Sequence, residues 1–173
     1  MKKEELIKAF VENQFAYCPL VWMFHNRNVN SKINNLHERA LKLMYNDDVS
    51  FMELLERAGE YTIHQRNIQF LAIEMFKVKN DTGPILLKDI FIERDYNALN
   101  LRKVPDFMTP KVNTVHYGEN SLKAFGSRIL NLIPNDIKYV NDIDAFKRRI
   151  RRWAPAICLC RLCKQYIQGV GYI

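Results

Sequence analysis

The chain has 173 residues, 48% of them apolar, and a formal net charge of +7. That length suits one domain or one domain with an extension, and that apolar content excludes wholesale disorder. No run of about 18 uncharged apolar residues occurs, so no membrane span is expected. The charge is uneven: residues 1–100 carry 13 Lys and Arg against 14 Asp and Glu (−1), and residues 101–173 carry 13 against 5 (+8). A basic excess confined to the second part points to a polyanionic partner there. Glu4, Glu5 and Glu12 interrupt the stretch that a signal peptide keeps apolar. Four cysteines, one alone and three crowded near the end, make no secreted disulfide framework. The expected setting is intracellular, nuclear or cytoplasmic, and not secreted.

Over residues 4–17, Leu6, Ile7, Phe10, Val11, Phe15 and Tyr17 fall on one half of a helix. Cys18-Pro19 ends or kinks it, because the residue before a proline avoids helical dihedrals. Pro19 then opens a short apolar helix, LVWMFH. Asn30 or Ser31 caps the next helix, which reaches about Tyr45. Ile33, Leu36, Ala40 and Met44 make its expected buried face, and Lys32, Asn35, Arg39 and Lys42 make a basic stripe opposite. By itself that stripe also suits a solvated face with a Glu38–Lys42 pair.

Tyr45-Asn46-Asp47-Asp48 has the form Y-x-D-D, in which paired aspartates of reverse transcriptases hold two metal ions. That chemistry needs a hairpin between strands and a third carboxylate. Here the motif ends an amphipathic helix, only 44 residues precede it, and Ser50-Phe51-Met52-Glu53 follows as a capping box. A polar interhelix turn is the expected reading. A short helix, Phe51 to Ala58, then closes at Gly59.

Thr62 with Gln65 is a second capping box, starting a helix that runs to Lys79. Its apolar residues cover a broad arc, and Ile63 and Phe70 interrupt the polar strip of Arg66, Asn67, Glu74 and Lys77. A helix this apolar is packed on several sides. Pro84 stops it and begins ILLKDIF. These elements make an all-helical bundle over residues 1–92 with short connections.

Residues 93–111, polar and broken by Pro105 and Pro110, read as a linker. Val112–Tyr117 alternates like a strand, Gly118-Glu119-Asn120 turns, and Leu122–Phe125 is the expected return strand of a β-hairpin. Gly126 to Ile133 reads as a short helix ended by Pro134. Asn141 or Asp142 caps a last helix to about Trp153, with a narrow apolar edge of Ile143, Phe146, Ile150 and Trp153. Lys147, Arg148, Arg149, Arg151 and Arg152 fill the rest. Their mutual repulsion, some tenths of a kcal/mol per i,i+4 contact, would be relieved by a phosphate backbone.

Cys158, Cys160 and Cys163 offer three thiols where structural zinc wants four ligands. His116, or a second chain, would have to complete the set, so thiols without metal are the simpler reading. No phosphate-binding or dinucleotide glycine pattern and no G-x-S-x-G occurs, and His25, His37, His64 and His116 are scattered. No complete catalytic constellation is present, and no cofactor is expected.

FVENQFAYCPLVWMFHNRNVNSKINNLHERALKLMYND resembles the segment after the polymerase core in reverse transcriptases of non-LTR (LINE-type, jockey-like) retrotransposons. The likeness continues through IHQRNIQFLAIEMFKVKN, VNTVHYGENSLKAFGSRILNLIP and CLCRLCKQYIQGVGYI, covering nearly the whole chain. It reaches only the C-terminal end of such a protein; fingers, palm and endonuclease are absent. The resemblance implies a thumb, a helical subdomain that grips the primer–template duplex, and a basic segment that helps hold element RNA or target DNA. Asn35–Arg39 and Lys42 would then face nucleic acid. Family members often have another residue where Asp48 stands, so Tyr45–Asp48 is not the family's catalytic motif.

The combined expectation is a mainly α chain. Residues 1–92 form a thumb-like helical bundle, 93–111 a linker, and 112–173 a basic C-terminal segment with hairpin, helices and cysteine tail. Its function would be that of a non-catalytic piece of an RNA-directed DNA polymerase, with RNA, DNA and the missing fingers and palm as partners. The alternatives are a stand-alone helical protein-interaction module, with apolar surface around Phe15, Leu20, Trp22 and Phe24, or a relic of a truncated element.

Overall fold

Four side chains fix four helix starts by accepting a backbone N–H three residues on. Ser50 accepts from Glu53 (3.3 Å), Thr62 from Gln65 (3.2 Å), Ser121 from Ala124 (3.4 Å) and Asp142 from Ala145 (2.9 Å). The computed structural model describes residues 3–24, 27–93, 107–114, 118 and 121–153. Among them the chain is mainly α-helical and has no strand. No helix there is long and apolar enough to cross a membrane. The described residues fall into two compact units, one ending at Asn67 and one beginning at Ile68.

The first unit opens with α1 (Lys3–Ile7), which continues through a π-helical turn (Lys8–Glu12) into α2 (Asn13–Ala16). Cys18 takes a left-handed conformation (φ 45°) before Pro19, and α3 (Pro19–Trp22) starts on that proline. Helix α4 (Arg27–Tyr45) is followed by the turn containing Asn46 (φ 52°), and then by α5 (Phe51–Ala58). Leu41 packs with Phe51, Leu54 and Leu55 as the core between α4 and α5, with Met44, Tyr45, Val49 and Ala58 around it. Gly59 ends α5 at φ 63°, where only glycine sits without strain, and its N–H bonds the Glu56 carbonyl at 3.1 Å.

The face that α4 turns inward differs from the expected one. Asn34, His37, Ala40 and Leu41 are buried, while Leu36 is 53% exposed. His37 is held inside by Arg66 (3.0 Å) and by the edge of the Phe51 ring, and the buried face is rotated away from Leu36. Of the residues around which apolar surface is expected, Phe15, Leu20, Trp22 and Phe24 are half-buried, and the Trp22 indole donates a 2.7 Å hydrogen bond to the Tyr17 carbonyl. Phe10, Tyr17 and Val21 are the large apolar residues left exposed there.

Helix α6 (Ile63–Lys79) begins with both halves of its capping box formed, the Thr62 N–H donating to Gln65 Oε1 at 3.0 Å. Of its residues only Phe70 is exposed. From Ile68 onward it belongs to the second unit, with α7 (Ile85–Lys88), α8 (Leu122–Leu132), α9 (Asn135–Lys138) and α10 (Ile143–Ile150). A single antiparallel bridge joins Glu93 to Phe107. Asn131 of α8 holds Phe107 from both sides, donating to its carbonyl (3.2 Å) and accepting from its N–H (3.4 Å).

The expected return strand, Leu122–Phe125, is instead the first turn of α8. Ser121 caps that helix, so it starts four residues before the expected Gly126 and buries Ala124, Phe125, Ile129 and Leu130. Lys111–Thr114 are not in a strand, and 115–117 and 119–120 of the expected hairpin lie outside the described residues. So do 94–106 of the expected linker and the whole tail from 154, with Cys158, Cys160 and Cys163.

Gly126 marks the tightest approach in the second unit. A Cβ there would meet Met75 Sδ at 2.9 Å and two Phe91 ring atoms at 3.0 Å. Gly126→Val should therefore cost about 1–3 kcal/mol through overpacking, outweighing the gain in helix propensity. Thermal unfolding followed by circular dichroism checks this; an unchanged midpoint would mean that Met75 and Phe91 give way freely.

Candidate nucleic-acid interface

Helix α10 is built to present cations on one side and to anchor itself with the other. Asp142 caps its start, and the backbone N–H groups of Ala145 and Asp144, followed by the charges of Arg148 and Lys147, hold the Asp142 carboxyl below its ordinary range. Phe146 and Ile150 are fully buried, and the Phe146 ring stacks on Phe76 of α6 with centroids 4.1 Å apart. Gln69 of α6 closes the other end. Its amide donates to the carbonyls of Trp153 (2.9 Å) and Arg151 (3.3 Å), groups that a helix terminus otherwise leaves without partners.

What this anchoring exposes is a short row of guanidinium groups. Arg148, Arg149, Arg151 and Arg152 are exposed, and Lys147 is half-buried. Lys147 pairs with Asp144 at 3.0 Å, so its charge is largely met. Arg149 donates to the Asp136 carbonyl, which fixes its direction but leaves its charge uncompensated. Arg148 and Arg151 make no ion pair among the described residues. Cations in the last turn also complement the negative end of the helix dipole. The helix ends at Ile150 with Arg151 as its cap, and Arg152 and Trp153 continue it as a turn.

The other set of sequence-derived cations lies on α4 in the first unit. Lys32, Asn35, Arg39 and Lys42 form the basic stripe expected there to face nucleic acid. Lys32 and Asn35 are exposed, and Lys32 and Arg39 make no ion pair among the described residues. Lys42 differs. Its ammonium sits 2.6 Å from Asp48 and 3.1 Å from Glu38, and those two hydrogen bonds raise its pKa above the ordinary lysine value. Asp48 is held correspondingly low by Lys42.

Tyr45-Asn46-Asp47-Asp48 is a turn between helices, and its two aspartates are taken up by cations. Asp47 binds Arg57 at 2.5 Å and Asp48 binds Lys42. Among the described residues no three His, Cys, Asp or Glu side chains are grouped to hold a metal ion.

Gln69, Asp136 and Phe76 set the position of the basic row, yet no sequence pattern marks them for that role. Gln69 and its acceptors are separated by 82 and 84 residues, so no local signal carries that pairing. The Glu38–Lys42 pair, at i,i+4, is legible; the competing Asp48 contact is not. Compared with family models, curated proteins and solved structures, the chain matches none of them.

Proposed function

We propose that this chain is the thumb and post-thumb part of a non-LTR retrotransposon reverse transcriptase, without catalysis of its own, and that it binds RNA or DNA through backbone phosphates. The observation that carries the binding reading is the row Arg148, Arg149, Arg151 and Arg152, exposed along the end of a helix whose opposite side is anchored by Phe146 and Ile150. Guanidinium groups suit phosphate because their planar donor fork engages two oxygens at once. Contacts to phosphate oxygens carry no base identity, so the binding is tolerant of sequence and set by electrostatics. The polymerase assignment rests on the resemblance of the segments quoted above. Intracellular action, nuclear or cytoplasmic, belongs to the same reading.

Replacing all four arginines with glutamate should weaken binding to a labelled single-stranded RNA and to a DNA duplex. It should also flatten the dependence of log affinity on log salt by about 1 for each phosphate no longer engaged. Fluorescence anisotropy across a salt series reads both quantities, and circular dichroism checks that the variant folds. Affinity and slope both unchanged would place the binding surface elsewhere or remove it. Sequencing cDNA upstream of the Met1 codon tests the polymerase assignment separately: the frame should continue into a palm with its own Y-x-D-D between strands.

A further inference from the structure

Helix α4 carries a second exposed cationic surface, one that alternates with leucines. Lys32, Leu36, Arg39 and Leu43 succeed one another at spacings of four, three and four residues. On a helix advancing about 100° and 1.5 Å per residue, they share an arc of about 60° over about 16 Å. Leu36 is 53% and Leu43 69% exposed, and Lys32 is exposed beside them. Neither Lys32 nor Arg39 makes an ion pair among the described residues. Five acids of this region are already engaged: Glu38 and Asp48 by Lys42, Asp47 and Glu53 by Arg57, Glu60 by Arg66.

We propose that this stripe is a docking face for an acidic amphipathic helix of a partner protein. Leu36 and Leu43, seven residues apart, would enter its apolar seam, and Lys32 and Arg39 would pair its Asp or Glu side chains. The alternation of cation and leucine is what selects this occupant. A nucleic acid offers phosphates but nothing to cover two leucines in the middle of the stripe, and the neighbouring Lys42 is neutralised by two carboxylates. A second copy of α4 fits no better. Paired in parallel, Lys32 meets Lys32 and Arg39 meets Arg39; paired antiparallel, each cation lies opposite a leucine with no counter-charge. Charge complementarity therefore favours acids supplied by a different chain.

The test uses the full chain and a labelled synthetic peptide of about three heptads. The peptide carries Leu and Glu alternating at the same four-three-four spacing, with a control in which Lys replaces Glu. The acidic peptide should bind the wild-type chain. Its affinity should fall about tenfold or more in Leu36→Gln/Leu43→Gln, and likewise in Lys32→Glu/Arg39→Glu. The second variant should gain binding to the lysine peptide, an exchange that misfolding cannot produce. The proposal is overturned if the acidic peptide fails to bind, or if the leucine variant binds it equally well. It is also overturned if the leucine pair instead lowers affinity for RNA, or abolishes a self-association seen in sedimentation of the wild type.

Discussion

Replacing Arg66 with leucine should lower stability by about 3 kcal/mol, read as a fall in the urea midpoint. Arg66 is the hub of the first unit. Its guanidinium reaches Glu12 at 3.1 Å, Glu60 at 2.9 Å and His37 Nε2 at 3.0 Å, and its Nε donates to the Tyr61 carbonyl at 3.2 Å. Glu12 and Glu60 side chains are only 14% and 15% exposed, so removing the cation strands two carboxylates out of water. Stranding a buried charge costs more than the pair contributes when intact, which is why the single substitution is severe. Adding Glu12→Gln and Glu60→Gln to the leucine variant should recover part of the loss. A single variant with the wild-type midpoint would show that the cluster is solvated and weak.

The same cluster fixes a sign for pH. His37 beside it, then the charges of Arg66 and Lys8, hold Glu60 below its ordinary value, against burial, which acts the other way. His37 Nε2 stands 3.6 Å from Glu60, longer than a good hydrogen bond, so the 2.9 Å contact with Arg66 is the firmer restraint. A carboxyl depressed on folding contributes stability above its unfolded value and loses it as pH falls through the lower folded value. Wild type should therefore lose stability as pH falls below the ordinary Glu60 value of 4.5, and Arg66→Leu should show a shallower acid limb there.

Local chemistry is legible in the sequence where a residue acts on its own neighbourhood. Thr62 with Gln65, Ser50, Gly59 and Asp142 all stand where capping rules put them, and Tyr45–Asp48 is a turn. One capping box is half-formed, since the Glu53 carboxylate turns to Arg57 at 3.2 Å. What fails is inference that treats apolar as inner and polar as outer. On α4 the buried Asn34 and His37 displace Leu36; His37 is kept inside by Arg66 and by the edge of Phe51, 5.5 Å away. In the same way, alternation around Val112–Tyr117 suggests a hairpin, while Ser121 ahead of Leu122 is a helix cap that outweighs it. Contacts such as Asn131 with Phe107 and Gln69 with Trp153 join distant residues and leave no periodic trace.

Phe146→Ala should be the most damaging change in the second unit, costing about 3–5 kcal/mol and abolishing presentation of the basic row. α10 has eight residues, shorter than the roughly 12–15 that an isolated helix needs in water, and its cations repel one another. Its helical state therefore depends on what Phe146 and Ile150 bury and on the Gln69 clamp at its end. Phe146 is fully buried and stacked on Phe76 at an interplanar angle of 19°, so truncation removes the stacked ring and opens a cavity beside α6. Phe146→Leu keeps most of the volume and should cost about 1.5 kcal/mol or less while leaving nucleic-acid binding intact. The pair separates packing from charge. If the alanine variant bound RNA with the wild-type salt slope despite its lower stability, the arginines would act as a disordered basic segment, and the helix would be incidental to binding.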